Sequence, residues 1–161
     1  MIRLSRRAVL AAALTGFAAT AASAQQGAAS PMDAVKAFYN SKIPDEARPY
    51  SQRLIRLRLA ATRRSQQINE PVSGLDFDPT IDGQDADMAV LLRSLQYFDT
   101  TTDPIKPTIQ VTFTQSRGAP PVTLTYTTIN EGGWKVDDIA KLRQRSNWRW
   151  STLLARGAKG Q

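Results

Sequence analysis

Residues 107–139 read PTIQVTFTQSRGAPPVTLTYTTINEGGWKVDDI, and this stretch decides the fold. Ile109, Val111 and Phe113 alternate with Thr108, Gln110, Thr112 and Thr114, and Val122, Leu124 and Tyr126 alternate with Thr123, Thr125 and Thr127. Period two carried by β-branched and aromatic residues is the pattern of strands with one buried face. Gly118-Ala119-Pro120-Pro121 separates the first run from the second, and Glu131-Gly132-Gly133 separates the second from a third, Trp134–Ile139. Turn residues between short alternating runs predict hairpins, so the three strands form an antiparallel meander.

On the N-terminal side lies an acidic stretch. From Gln67 to Leu92 there is no lysine or arginine, while Glu70, Asp76, Asp78, Asp82, Asp85 and Asp87 fall inside it. The sequence ADMAVLLRSLQYF that ends it predicts a short helix running into a strand. Two helices precede it. Ser30-Pro31-Met32-Asp33 supplies an N-cap, a proline at the first helical position and an early acid, and Val35, Phe38 and Tyr39 follow at helical spacing, which predicts a helix over 31–40. SKIPDEARPY breaks it, and a longer helix is expected over 47–66, where Leu54, Ile55, Leu57, Leu59 and Ala61 form an apolar stripe among arginines.

Trp148, Trp150, Leu153 and Leu154 predict a closing helix. Tryptophans at i and i+2 cannot share one helix face, so NWRW also reads as a short strand or an irregular cover, with one ring left to mark a contact surface. Helices first and a meander afterwards make one α+β domain.

The first residues read as a processing segment. MIRLSRRAVLAAALTGFAATAASAQ carries Arg3, Arg6 and Arg7 ahead of a short apolar run and then Ala22-Ser23-Ala24, the layout of a signal peptide cleaved after Ala24. Ser5-Arg6-Arg7-Ala8-Val9-Leu10 with a mildly apolar run fits twin-arginine export; the general secretory route is the alternative. The expected product is residues 25–161, delivered to the periplasm of a bacterium, with no later apolar run long enough to span a bilayer.

Composition narrows the chemistry. The formal charge is +7, and three of the arginines behind it lie in the signal segment. What remains is mildly basic, and an exported chain has little access to nucleic acid, so no nucleic-acid partner is expected. There is no cysteine and no histidine, which removes disulfides, thiolate nucleophiles, Ser-His-Asp devices and the commonest zinc, copper and haem ligands. Among metal ions only oxygen-seeking ones such as calcium fit.

SPMDAVKAFYN near the mature start, LDFDPTIDGQD in the middle and GGWKVDDIA near the end, spanning Ser30 to Ala140, together resemble the bacterial exported family called domain of unknown function 3828. The family's aromatics after Asp78-Pro79 and after Asp85 are Thr80 and Ala86 here. The resemblance implies a nuclear transport factor 2-like, cystatin-like fold, a curved sheet wrapped around a pocket and closed by N-terminal helices. It implies no activity.

Two constellations are candidate sites. By alternation Trp134, Val136 and Asp138 share a face, so Tyr126, Trp134 and Asp138 are the candidate ligand-binding residues. A carboxylate on an apolar face beside a tyrosine is also the layout of a general base, so Asp138 and Tyr126 are the alternative catalytic pair. Against this, Asp138 can accept backbone N–H groups where the strand ends, or be turned outward by a bulge, with Tyr126 and Trp134 in the core.

The second constellation is Asp76, Asp78, Asp82 and Asp85, a calcium candidate because calcium takes six to eight oxygens. Its spacing departs from a calcium loop, with Asp82 four residues after Asp78 and Asp87 where a glutamate belongs. The structural alternative makes Asp78-Pro79 and Asp82-Gly83 turns and Asp85 or Asp87 a helix cap, with Phe77 plugging the core and the helix arginines balancing the acids.

The function expected is that of an exported, non-enzymatic protein binding a small molecule or an envelope protein through the pocket or face of the sheet, with no cofactor. The alternatives are an isomerase- or hydrolase-type enzyme using Asp138 and Tyr126, and a calcium-dependent structural protein using the 76–87 loop.

Overall fold

The computed structural model describes residues 28–142 and 147–161. The signal segment read at residues 1–24 lies outside the described residues. Five strands, Gln96–Asp99 (β1), Thr108–Thr114 (β2), Pro121–Asn130 (β3), Trp134–Lys141 (β4) and Trp148–Arg149 (β5), form one open antiparallel sheet in chain order. The meander expected from period two is the centre of that sheet. Ile109 pairs with Tyr126, Val111 with Leu124 and Phe113 with Val122, and all six side chains are buried on one face. The threonines point to the other face and remain half-buried, with Thr112 and Thr123 hydroxyls 3.0 Å apart.

Helix α1 (Pro31–Lys36) packs across β2, β3 and β4. Ser30 Oγ accepts the Asp33 N–H at 3.1 Å, as its capping position predicts. The helix expected over 31–40 is shorter: it tightens into a 3₁₀ turn at Ala37–Tyr39 that buries both Phe38 and Tyr39. Helix α2 (Gln52–Ile68) starts later than the expected residue 47. Residues 49–51 are extended along β4 instead, with the Ser51 N–H given to Val136 O at 2.8 Å and the Val136 N–H to Pro49 O at 2.7 Å. Pro49 has no N–H to give a helix, and Ser51 then caps α2 by accepting from Leu54 N–H.

Helix α3 (Met88–Ser94) runs into β1 as the sequence predicts. Helix α4 (Trp150–Lys159) packs along α2, with Leu54, Ala61 and Leu154 in the core. NWRW divides between the two readings: Trp148 is in β5 and Trp150 opens α4. The loop before α3 approaches α4 closely through two glycines. A Cβ at Gly74, whose φ is +85°, would sit 2.8 Å from Leu154 N, and one at Gly157 would run into the carbonyl of Ser73. Among the described residues no helix is long and apolar enough to cross a membrane.

One irregularity shapes the functional question. Thr127 pairs with Asp138 but Thr128 pairs with Val136, so Asp137 is an extra residue and β4 bulges. The bulge breaks the alternation in β4. Val136 and Ile139 are both fully buried, and Ile139 pairs with Tyr126, which leaves Asp138 pointing the other way.

Candidate functional site

The bulge corrects the shared face assigned to Trp134, Val136 and Asp138. Asp138 lies across the sheet from Tyr126, whose pairing partner is Ile139, so the sheet does not bring the two side chains into one cavity. Asp138 is 3% exposed and its oxygens are occupied. Oδ1 accepts the N–H groups of Ile139 and Ser151, both at 3.0 Å, and Oδ2 accepts from Ser151 Oγ at 2.8 Å and Arg149 Nη1 at 2.9 Å. Ser151 is in the first turn of α4, and Arg149 before it offers no side-chain cap, so Asp138 caps the helix from the neighbouring strand. A bond to a charged partner is worth about 1.5–3 kcal/mol and a neutral one about 0.5–1.5. Freeing this carboxylate for base chemistry would forfeit several of these at once.

Tyr126 is fully buried. Its hydroxyl lies 2.8 Å from that of Tyr39, which donates to the Thr80 carbonyl at 3.0 Å, and Phe38 packs edge-on against its ring. Burial pushes both tyrosine hydroxyls well above their ordinary pKa, so both remain neutral donors. Trp134 is half-buried at the start of β4, where its backbone pairs with Ala28.

The acidic loop spends its carboxylates one at a time. Asp76 Oδ1 accepts the Gly74 N–H, Asp78 Oδ1 accepts from both Thr80 N–H and Thr80 Oγ, and Asp87 caps α3 through Ala89 and Val90 N–H. Asp82, in a left-handed conformation with φ 55°, takes Lys141 Nζ at 2.6 Å and Trp148 Nε1 at 2.7 Å. Asp85 is exposed. Among the described residues no three acids converge as a metal would require. The loop's partners also differ from those expected: β4 and β5 hold Asp82, while α2 arginines reach Asp45 and Asp137. Phe77 packs edge-on against Trp148, ring centroids 5.1 Å apart, and is only half-buried.

A cleft of about 260 Å³ opens where the α1–α2 connection, the acidic loop and the start of α4 meet. Asp45, Arg48, Tyr50 and Arg58 from the α1–α2 connection and α2, Gly74, Leu75, Phe77, Asp78 and Pro79 from the acidic loop, and Trp150 from α4 line it. A second cleft of about 460 Å³ shares Asp45, Tyr50 and Arg58 and continues along α2 past Ile55, Leu59 and Thr62. Asp45 organises the common wall. It accepts from Tyr50 Oη at 2.7 Å, Arg58 Nη2 at 2.6 Å and Arg48 Nη1 at 3.2 Å. Burial alone would raise its pKa, but those bonds and the two guanidinium charges hold it below its ordinary value.

The Arg58 guanidinium lies over Tyr50, 4.6 Å from its ring centroid, and over Trp150 at 5.5 Å. None of Tyr126, Trp134 and Asp138 lines either cleft. The sequence reading missed Asp45, Arg48, Tyr50 and Arg58. The signal available was DEARPY, two acids, an arginine and a tyrosine in a connection bounded by prolines, where binding groups on a rigid scaffold often lie. Set against known proteins, the chain matches no family model, no curated protein and no solved structure.

Proposed function

We propose that the protein is an exported, periplasmic, non-enzymatic binding protein whose small ligand sits in the cleft bounded by Arg48, Arg58, Tyr50, Phe77 and Trp150. The observation that carries this reading is the contrast between the two constellations. Tyr126 and Asp138 are consumed by the core and by a helix cap, whereas the cleft sets guanidinium, carboxylate and aromatic groups around open space. The nuclear transport factor 2-like relationship belongs to this proposal, supported by the order of helices followed by a meander. Export rests on the signal-like start and Ala22-Ser23-Ala24.

The test has two parts. The full chain is expressed in a bacterium, recovered from the periplasmic fraction and sequenced from its N-terminus, where Gln25 is expected. The recovered protein is then screened against a mixed library of neutral, cationic and anionic metabolites by ligand-observed NMR. Saturable binding that protects the cleft is expected; folded protein that binds nothing, or binds only elsewhere, overturns the reading.

A further inference from the structure

We infer that the ligand is a small organic carboxylate held by Arg48, an inference that rests on the cleft being the binding site. Asp45 is one carboxylate shared by two guanidiniums and a hydroxyl, and the sharing is unequal. Tyr50 and Arg58 take the short bonds, at 2.7 and 2.6 Å, and Arg48 is left with one long bond of 3.2 Å to the oxygen that Tyr50 already occupies. Charge-assisted N–H···O bonds run at roughly 2.7–2.9 Å, so this one is weak.

The remaining donors of Arg48 are poorly served. Its side chain is 21% exposed, and its Nε–H is sealed from solvent without an acceptor among the described residues. The Phe38 ring 5.7 Å from its Cζ gives a face but no lone pair. The sealed Nε–H is out of a ligand's reach, but Nη1 is held by one long bond and Nη2 by none among the described residues, and a planar carboxylate in the cleft accepts two such parallel N–H groups at once.

The rest of the wall suits the same ligand. Arg58, whose charge Asp45 already offsets, is fixed by its rings and that bond and holds its place in the wall. Asp78, the other acid in the lining, is exposed and turns Oδ1 to Thr80. Leu75, Phe77 and Pro79 line the same cleft and offer apolar surface to the body of the ligand. The small volume favours a metabolite below ordinary drug size, for which sites run to roughly 300–1,000 Å³.

The test compares shape-matched pairs on the protein recovered from the periplasm: acetate with acetamide, benzoate with benzamide, and succinate with succinamide, by NMR titration. At least one carboxylate is expected to bind the cleft at least tenfold more tightly than its amide, and Arg48→Lys, which keeps the charge and loses the fork, is expected to remove most of that difference. If the amides bind as well as the acids, the inference falls while the cleft remains a site. It falls likewise if no acid binds below about 10 mM, the weak end of specific recognition, while a neutral or cationic library member occupies the cleft. Absence of any ligand at the cleft overturns both readings. The wild-type comparison needs no variant, so it stands even if Arg48→Lys fails to fold.

Discussion

Ser51 and Ser151, which open two different helices, are held by neighbouring carboxylates in one strand. Ser51 Oγ donates to Asp137 Oδ1 at 2.7 Å, and Ser151 gives Asp138 its N–H at 3.0 Å and its hydroxyl at 2.8 Å. The β4 bulge thus fixes the starts of α2 and α4 together. Those helices carry Arg58 and Trp150 into the cleft, so the strand irregularity sets the geometry of the proposed site.

Asp138→Ala is expected to cost about 2–4 kcal/mol in urea unfolding, the range for removing a buried hydrogen-bonded carboxylate whose cationic partner can return to water. Arg149 is 47% exposed and is that partner. Asp138→Asn should cost less, because an amide oxygen in place of Oδ1 keeps the Ile139 and Ser151 N–H groups and the amide NH2 in place of Oδ2 can donate to Ser151 Oγ, so that the Arg149 bond is the one lost. A loss confined to activity or binding, with stability unchanged, would contradict the capping role.

Asp137 gives a pH dependence with a definite sign. Burial alone would raise its pKa, but the bonds from Arg53 and Ser51 and the Arg53 charge hold it below its ordinary value. Its folded pKa therefore lies below the unfolded value of about 3.9. The contribution is complete above that pH and is lost as pH falls through the folded pKa. Urea midpoints of the wild type should fall steeply between about pH 4 and pH 2, whereas Asp137→Asn, less stable at neutral pH, should fall less steeply over that range. Asp45, also held low, leaves some slope in both.

How much of this was legible in the sequence follows from which interactions are local. The meander, its buried Ile109, Val111, Phe113, Val122, Leu124 and Tyr126, and the cap at Ser30 depend on period and on neighbours in the chain, and the residues show them; the cap on α3 was legible only as Asp85 or Asp87, and the structure uses Asp87. The bulge at Asp137 does not. Adjacent aspartates read as continued alternation until segments far away in the chain, residues 49–51 and 148–151, claim the edge of β4. The cleft was hidden for the same reason, since Asp45, Gly74 and Trp150 meet only after α4 packs between α2 and the acidic loop. The two tryptophans were legible as a conflict, which the chain resolves by ending a strand and starting a helix between them.

Gly157→Ala tests that packing. The added Cβ would meet the Ser73 carbonyl, which is backbone and cannot step aside. Overpacking of this kind costs roughly 1–3 kcal/mol, against the gain of up to about 1 kcal/mol that alanine brings to an open helical site. A net loss in thermal stability is expected, and a gain would show that the loop does not sit against α4.

The acidic loop predicts a result with calcium. Asp82 is 13% exposed and tied to Lys141 and Trp148, so Asp82→Asn should lower the melting temperature by several degrees in EDTA. Calcium at a hundredfold excess over a real dissociation constant would add about 2.7 kcal/mol. Millimolar calcium is expected to leave the wild-type melt unchanged; a rise abolished by Asp76→Asn/Asp78→Asn would make the loop an ion site.

The most direct measurement is amide chemical-shift mapping of the isotope-labelled protein with the tightest hit from the metabolite screen. Shifts concentrated at residues 45–58, 74–79 and Trp150, with Tyr126 and Asp138 unmoved, are expected if the cleft is the binding site. Shifts centred on Tyr126, Trp134 and Asp138, with the cleft silent, would return the site to the sheet and contradict the assignment made from the bulge.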